Sequence, residues 1–443
     1  MYFKTQAIET LTPFYEGKTP EELSTRKNLP FDLFEDTEHT PLEELFKSAL
    51  AINLDQPIDD DVKAHIQHAI AVALTRAGVS RLSECPNIQK IEYKEEKSSV
   101  LPKEVTSIPS LRVLELSYNR KFKALHKNLK LAENLLALNL RVLHNIRDIS
   151  AITALQNLTY LEFYNTIKLE DYDPILELKK LDHLNVDTID LNLVAPTFTK
   201  LHPIKTLELR SSCFMDYHQP VLYDIIDAHK DSLLGLGLQS SNLFHKPLPH
   251  LPRLEELDLY GIQQLHPGTF DNTPSLQALN LHHFKEDTLP SSLDTLTTLE
   301  LLDLSFASEL TTDGIKVLGS LENLKYLNLT NTPLTEFPVE FGALKNLNAL
   351  SLNSVKIQDI SVLKSLTSLK YLDLNSFKDQ KQLEDVVLNL PNLEEVVVHT
   401  DIDIKPLANA PALKRVSRIY NKYKQEDVGP DFTAYQSTAF RNT

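Results

Sequence analysis

The chain has 443 residues, of which 42% are hydrophobic and 24% are charged, close to the averages for globular proteins. Only 10 glycines occur, which argues against glycine-rich phosphate loops, dinucleotide-binding folds and nucleophile elbows. Lys and Arg number 45 and Asp and Glu 61, so the formal net charge is −16. A surface of this sign repels nucleic acids and anionic membranes and suits basic protein partners.

Cysteine usage and the lack of long apolar runs bear on where the protein works. Cys85 and Cys213 are too few for a disulfide framework or a cysteine-rich zinc site, and they suit a reducing compartment. No basic segment followed by an apolar run opens the chain, and no run of about 18 apolar residues occurs. We therefore expect a cytoplasmic protein with no membrane segment. Secretion as an effector without a cleavable signal stays open, as does the oligomeric state.

Residues 1–86 do not repeat, and they carry fifteen acids and eight Lys or Arg. We expect residues 1–39 to be an acidic, loosely ordered segment and residues 40–86 to be a helical cap. One helix should begin at the capping box Thr40-Pro41-Leu42-Glu43. A second helix should follow the acids at 59–61 and end near Gly78. Its apolar stripe should consist of Ile66, Ile70, Ala73 and Leu74. A separate partner-binding module is the alternative.

An internal repeat predicts the fold of most of the chain. The pattern Leu-x-x-Leu-x-Leu returns fourteen times, mostly every 21 to 25 residues, and a decayed fifteenth copy begins at Leu413. Positions one, four and six of each copy point into a core that only stacked neighbours can bury. The first positions are Ile88, Leu111, Leu135, Leu158, Leu181, Ile204, Leu233, Leu254, Leu276, Leu299, Leu324, Leu347, Leu369 and Leu393.

This pattern resembles the leucine-rich repeat family over residues 87–420. The resemblance implies an α/β leucine-rich-repeat solenoid, a curved parallel sheet of about 14 to 15 repeats, followed by a polar tail at 421–443. The segments 146–150 and 357–361 are similar to internalin and phosphatase-regulator repeats, and Thr335-Glu336-Phe337-Pro338 is similar to the bacterial "Leu-Pro" class. The asparagine usual at position nine of the family occurs here only as Asn119.

The step from Ile204 to Leu233 is 29 residues long and contains an insertion. The segment from Pro220 predicts a helix beginning at proline. Its apolar residues Leu222, Ile225 and Ile226 form a one-sided stripe, so we expect a longer return helix.

Two groups of residues could in principle support catalysis or metal binding, but neither pattern predicts an active site. Cys213, Asp216 and His218 combine a thiol with nearby bases, and secreted bacterial ubiquitin ligases pair repeats with a reactive cysteine. Those enzymes carry the cysteine in a helical domain after the repeats, and here only about 25 residues follow them. His282 and His283 adjoin on one strand, which we interpret as solvated or hydrogen-bonded histidines. We expect no enzyme activity, catalytic residue, metal or cofactor.

The sheet face opposite the core carries the recognition candidates, because positions three, five and seven point away from the core. Position five holds seven acids, four amides and no cation in fourteen copies, while cations occur at position seven as Lys94, Arg141 and Arg210. Aromatic residues framed by polar groups are typical of binding surfaces. The predicted partner-binding residues are Tyr160, Tyr164, Glu256, Asp258, Tyr260, His282, Asp303, Phe306, Tyr326 and Tyr371. Four of their rings, Tyr260, His282, Phe306 and Tyr326, come from four successive strands, so we expect them to form one row about 5 Å apart per step. Alternatively, Asp and Asn are simply soluble choices for an exposed strand.

The sequence therefore favours a non-catalytic scaffold that binds a protein partner, bearing a basic segment, through the concave face. No nucleic acid or membrane partner is expected. The alternative is an effector or adaptor of a ubiquitin-ligase or phosphatase complex. In that case the repeats select a target and residues 1–86 dock to another component.

Overall fold

The computed structural model describes residues 51–53, 71–85, 88–187, 190–210, 218–239, 246–421 and 424–427. These residues form two compact units. The first contains the described residues up to 210 together with 220–235. The second contains residues 218–219 and the described residues from Leu236 onward.

The first unit is built on a parallel sheet in which each strand pairs with the next along the chain. Equivalent positions face each other, for example Ile91 opposite Leu114 and Leu114 opposite Leu138. Five-residue strands predominate. The strands are β1 Ala51–Asn53, β2 Ala71–Leu74, β3 Lys90–Lys94, β4 Val113–Ser117, β5 Ala137–Arg141, β6 Tyr160–Tyr164, β7 His183–Asp187 and β8 Thr206–Arg210.

The second unit repeats the arrangement with shorter strands, several of only three residues. Leu279 lies opposite Leu302, and Leu302 opposite Leu327, so the register again matches the repeat. The strands are β9 Gly235–Gln239, β10 Glu256–Asp258, β11 Ala278–Asn280, β12 Leu301–Asp303, β13 Tyr326–Asn328, β14 Ala349–Ser351, β15 Tyr371–Leu374, β16 Glu395–Val398, β17 Arg415–Asn421 and β18 Lys424–Asp427. Strands β10 to β17 are parallel, and β18 is antiparallel to β17.

The core of each unit follows the predicted register. Leu111, Leu114 and Leu116 of one copy are at most 1% exposed, and Leu299, Leu302 and Leu304 of another are fully buried. Alternation along a strand sends positions four and six to the same side, where the return segments cover them. The core prediction is therefore confirmed for these copies.

Short helical segments return the chain from the end of one strand to the start of the next. The described residues contain four α-helices: α1 Lys103–Thr106, α2 Leu191–Phe198, α3 Gln219–His229 and α4 Gln380–Leu388. Other copies use a single 3-10 turn, as at Ser150–Ala154 and Ser361–Ser365. Helix α3 confirms the predicted insertion helix, and its predicted stripe is buried.

The predicted N-terminal helical cap is wrong where the structure describes it. Ala73 and Leu74, assigned to a helical stripe, lie in strand β2, which pairs in parallel with β3. Gly78 lies inside the 3-10 helix Arg76–Glu84 rather than at the end of an α-helix. Val72 and Leu74 are 2% exposed, as positions four and six of a further repeat should be. The remaining predicted cap residues at 40–50 and 54–70, and all of 1–39, lie outside the described residues.

The end of the array also differs from the expectation. The decayed copy forms β17, in which Val416 is buried against its parallel neighbour. Residues 424–427, expected in a polar tail, form the antiparallel strand β18. Antiparallel pairing requires no return segment, so a tight reversal is enough to add this strand.

A buried charge tests the register. Leu281 and Leu329 are fully buried sixth-position residues. Leu281→Asp or Leu329→Asp should each lower the free energy of unfolding by more than about 3 kcal/mol, because an unpaired carboxylate replaces packed apolar surface. The matched control is Gln263→Asp at an exposed position, which should change the free energy of unfolding by less than about 0.5 kcal/mol. Urea denaturation would measure all three, and unchanged stability of both leucine variants would show that the register is wrong.

Candidate functional site

Four rings of the second unit form one continuous cluster, here called the ring cluster: Tyr260, His282, His283 and Phe306. Tyr260 stacks on His282 with ring centroids 5.0 Å apart. The ring centroid of Phe306 lies 5.0 Å from that of His282 and 5.1 Å from that of His283. Tyr260 is 36% exposed. Tyr260 and His282 occupy position seven of their copies, and His283 and Phe306 occupy position eight. The cluster therefore lies beyond the carboxyl ends of strands β10 to β12.

Tyr326 does not belong to this cluster, contrary to the prediction of one row of rings. Tyr326 stands at position three and lies opposite Leu301, five residues before Phe306. Five residues of extended chain span about 16 Å. Tyr326 instead packs against the buried group Ala349, Tyr371 and Val397. The predicted patch is thus two separate groups, one at each end of the strands.

Position five of the second unit has a structural role that the sequence prediction missed. In the five copies with Asp or Asn at this position, its side-chain oxygen accepts a hydrogen bond from the main-chain N–H two residues later. Asp258 accepts from Tyr260 at 3.0 Å, and Asp303 accepts from Ser305 at 2.8 Å. The same bond recurs from His282 to Asn280, from Thr330 to Asn328 and from Asn375 to Asp373. Asp and Asn form such turns readily, so these residues end the strands and aim position seven.

A further chain of hydrogen bonds orients His282. Ser305 Oγ donates to Asp303 Oδ1 at 2.5 Å, and Ser305 Oγ lies 2.5 Å from His282 Nδ1. Because the hydroxyl proton is directed to the carboxylate, Nδ1 of His282 is the donor to Ser305. Burial lowers the pKa of His282, an effect that the Asp303 charge opposes and the His283 charge strengthens.

The predicted site residues differ widely in exposure. Glu256, His282 and Tyr371 are buried, at 2%, 7% and 7% exposed, so they are not the solvent-facing side chains that the strand pattern predicts. Neighbouring strands lie about 4.8 Å apart, so large side chains on one face cover each other. The partly exposed members are Asp258, Asp303, Phe306, Tyr326, Tyr160 and Tyr164, with Tyr260 the most exposed.

The outer face of the second unit is acidic. Positions three, five and seven of the copies that contain β10 to β16 hold no Lys or Arg. The next copy, which contains β17, has Arg415 at position three. That arginine lies 4.0 Å from Glu395. The acids at these positions are Glu256, Asp258, Asp303, Asp373 and Glu395.

The outer face of the first unit balances its charges internally. Glu208 pairs with Arg210 at 2.8 Å, and Glu92 pairs with Lys94. Tyr160 donates a hydrogen bond to Glu162 at 3.1 Å. Burial raises the pKa of Glu162, and the charges of Arg141 and Arg210 oppose that rise. Tyr160, a predicted binding residue, is therefore part of a satisfied network.

Position eight adopts a left-handed backbone in many copies, a feature that sequence reasoning missed. Gly261 has φ 72°, but the equivalent His283 and Phe306 have φ 61° and 59°. A non-glycine residue in this region costs roughly 1–2 kcal/mol. Strain of this kind often accompanies functional positions. Here it points the two rings of position eight back towards those of position seven.

Other candidate sites from the sequence do not form in the described residues. Cys85 is buried and free, and burial raises its pKa to about 11, so it is a poor nucleophile. Cys213 and Asp216 of the group predicted with His218 lie outside the described residues. Within the described ranges, no group of three or more His, Cys, Asp or Glu side chains is arranged to hold a metal ion. A search of the same ranges for a helix long and apolar enough to cross a membrane found none.

Residues 275–420 match the family model described as a leucine-rich repeat region. These residues are a leucine-rich repeat region. The chain is 31% identical over 185 residues to the probable disease resistance RPP8-like protein 2 of Arabidopsis thaliana, covering 39% of this chain and 20% of that protein. It is 28% identical over 215 residues to the probable serine/threonine-protein kinase pats1 of Dictyostelium discoideum, covering 46% and 6%. The leucine-rich-repeat chain thus spans a fifth or less of these relatives.

Solved structures agree at the level of fold. The mouse RP105/MD-1 complex contains a chain similar to this one with a TM-score of 0.52 and 15% identity, covering 83% of this chain and 68% of the other. At this identity the likeness concerns the fold alone. Stacked repeats of this class present extended binding surfaces rather than catalytic pockets.

The position-five hydrogen bond gives a stability prediction. Asp258→Ala removes the acceptor for Tyr260 N–H and for Asn280 Nδ2, and should cost about 1–2 kcal/mol of unfolding free energy. Asp258→Asn keeps an oxygen at that place and should cost less than about 0.5 kcal/mol. Urea denaturation of both variants measures the difference. Equal effects would mean that the carboxylate charge, not the turn, is what matters.

Buried histidine gives a pH prediction for the first unit. His183 is 1% exposed and hydrogen-bonds Thr206 at 2.8 Å; burial lowers its pKa from 6.5 to about 4, although Asp182 opposes the shift. Because the unfolded chain binds this proton more readily, its contribution is complete above pH 6.5 and is lost as the pH falls towards 4. His183→Gln should therefore reduce the loss of stability between pH 7 and 4.5, by at most about 3 kcal/mol. The exposed His250→Gln is the control and should leave the pH profile unchanged.

Proposed function

We propose that this protein is a non-catalytic scaffold that binds a basic segment of a protein partner on the outer face of the second unit. One observation carries the proposal: an acidic sheet face with a single arginine adjoins a partly exposed cluster of four rings. Charge of one sign attracts and orients a partner of the other sign. Aromatic residues supply most of the binding energy in many interfaces.

The ring cluster suits an arginine or lysine side chain. A guanidinium or ammonium group is attracted to a ring face, and Tyr260 presents the most exposed ring. Asp258 and Asp303 lie at position five of β10 and β12, on either side of Asn280 in β11. A cation above the rings would therefore meet carboxylate charge from two strands. The turns at position five and the left-handed backbone at position eight fix these groups before a partner arrives, which lowers the entropic cost of binding.

The buried acids and rings support the face rather than contact the partner. Glu256 and Tyr371 expose too little surface to contribute much contact area. Tyr326 and Tyr371 lie at the opposite end of the strands from the ring cluster, so they would meet a different part of an extended partner. We therefore propose that Tyr260, Phe306, Asp258 and Asp303 contribute most of the binding energy.

The test uses a fluorescein-labelled 12-residue peptide of alternating Arg and Ser, titrated with the full chain. Tyr260→Ala or Phe306→Ala should weaken binding by at least about 2 kcal/mol. Asp258→Asn and Asp303→Asn keep the turn oxygen, so they should slow association and flatten the salt dependence while the protein remains folded.

The matched controls are Asp294→Asn and Glu322→Gln, which remove exposed acids from the return segments of the same unit. They should leave both affinity and association rate unchanged. Full affinity in the ring variants, or a loss in the controls equal to that in the face variants, would contradict the proposed binding face.

A further inference from the structure

The first unit carries a group of cations just beyond its strand ends, in a protein that is otherwise acidic. The segment after β4 reads Tyr118-Asn119-Arg120-Lys121-Phe122-Lys123. Arg120, Lys121 and Lys123 are exposed, and so is Arg147 in the next copy. None of these four side chains forms an ion pair with another residue of the described ranges. They contrast with the paired cations Lys94 and Arg210 on the sheet itself.

The loop that bears these cations is held in one conformation. Asn119 Oδ1 accepts hydrogen bonds from the N–H groups of Lys121 and Phe122, at 2.8 Å and 2.9 Å. Its Nδ2 donates to the Ser98 carbonyl of the preceding copy at 2.8 Å. Phe122 is 1% exposed and anchors the loop in the core. A loop tied down in this way presents its charges without a further ordering cost.

Hydrogen bonds hold the cation-bearing loops of adjacent copies side by side. Arg147 N–H donates to the Lys123 carbonyl at 2.8 Å, and Asn145 Nδ2 donates to the Arg120 carbonyl at 2.8 Å. A parallel bridge between Ala124 and Asp148 continues the contact. The four cations therefore belong to one continuous edge over two neighbouring copies.

Aromatic surface lies beside the charges. Tyr118 is 52% exposed, in a left-handed backbone with φ 56°, and Lys94 Nζ lies 6.0 Å from the centre of its ring. One copy further on, the Arg141 guanidinium lies 5.1 Å from the ring of Tyr164 at the end of β6. Exposed tyrosine together with arginine is the composition that binding surfaces favour.

We propose that this basic rim, formed by Tyr118, Arg120, Lys121, Lys123 and Arg147, is a second interaction surface that binds an acidic peptide segment of a protein partner. The charge of the rim is opposite to that of the second unit's face, so the two surfaces select different segments. Nucleic acid fits less well, because the exposed Asp148 lies within the rim and the net charge of −16 repels a polyanion. A short peptide with few acidic residues can avoid both the Asp148 carboxylate and the acidic surfaces elsewhere on the protein.

The experiment measures fluorescence anisotropy of a labelled 12-residue peptide of alternating Glu and Ser, titrated with the full chain. The triple variant Arg120→Ala, Lys121→Ala, Lys123→Ala should weaken binding at least ~10-fold at about 50 mM salt, where charges are weakly screened. Tyr118→Ala should weaken binding about fivefold without changing the salt dependence. The parent should lose most of its affinity by about 300 mM salt.

The matched control is the pair Lys127→Ala and Lys130→Ala, which removes two exposed lysines from the 3-10 helix of the same copy. Unchanged affinity in this control, together with loss in the rim variants, supports the proposal. Parent-like affinity in the triple variant, or an equal loss in the control, would overturn it. Tighter binding of a 12-nucleotide single-stranded oligonucleotide than of the peptide would also overturn it, in favour of a nucleic-acid surface.

Discussion

The structure depends on one constraint: each copy exposes its apolar side chains at positions one, four and six unless a neighbouring copy covers them. Burial of Leu302 and Leu304 between neighbours fixes the register of every adjoining strand. The residues between them are then forced to the opposite face. Chemical groups that are 21 to 25 residues apart in the chain consequently stand in columns, about 4.8 Å apart. Both proposed surfaces are products of these columns.

The end of each strand is a second point of control. In the second unit, Asp258 and Asp303 at position five each accept the N–H of position seven, and their strands β10 and β12 are three residues long. In the first unit, strands such as β6 and β8 run for five residues, with Glu162 and Glu208 at position five. Glu has a longer side chain that pairs with tyrosine or arginine instead.

The two units consequently differ in electrostatics although their folds match. Pairs such as Glu208 with Arg210 neutralise the face of the first unit, and its unpaired cations stand at the strand ends. At the corresponding positions of the second unit's face, Arg415 is the one Lys or Arg among the described residues. Strained left-handed residues occur at position eight in both units, at Tyr118 and at Phe306. At these two positions the strained residues are aromatic, whereas Val142, Asn165, Asn331 and Ser354 have the same backbone without a ring.

The sequence by itself determined the repeat, its register, the buried leucines and the helix α3, because all of these follow from a local spacing of apolar residues. It failed at Ala73 and Leu74, where a helical interpretation of a short apolar segment was as good as a strand until β3 was present as a partner. The prediction also placed Tyr326 with Phe306, although the repeat register puts Tyr326 at position three and Phe306 at position eight, at opposite ends of the strands. Only the tertiary structure decided that Glu256 and Tyr371 are buried and that Asp258 forms a turn, because burial and hydrogen bonding depend on neighbouring strands.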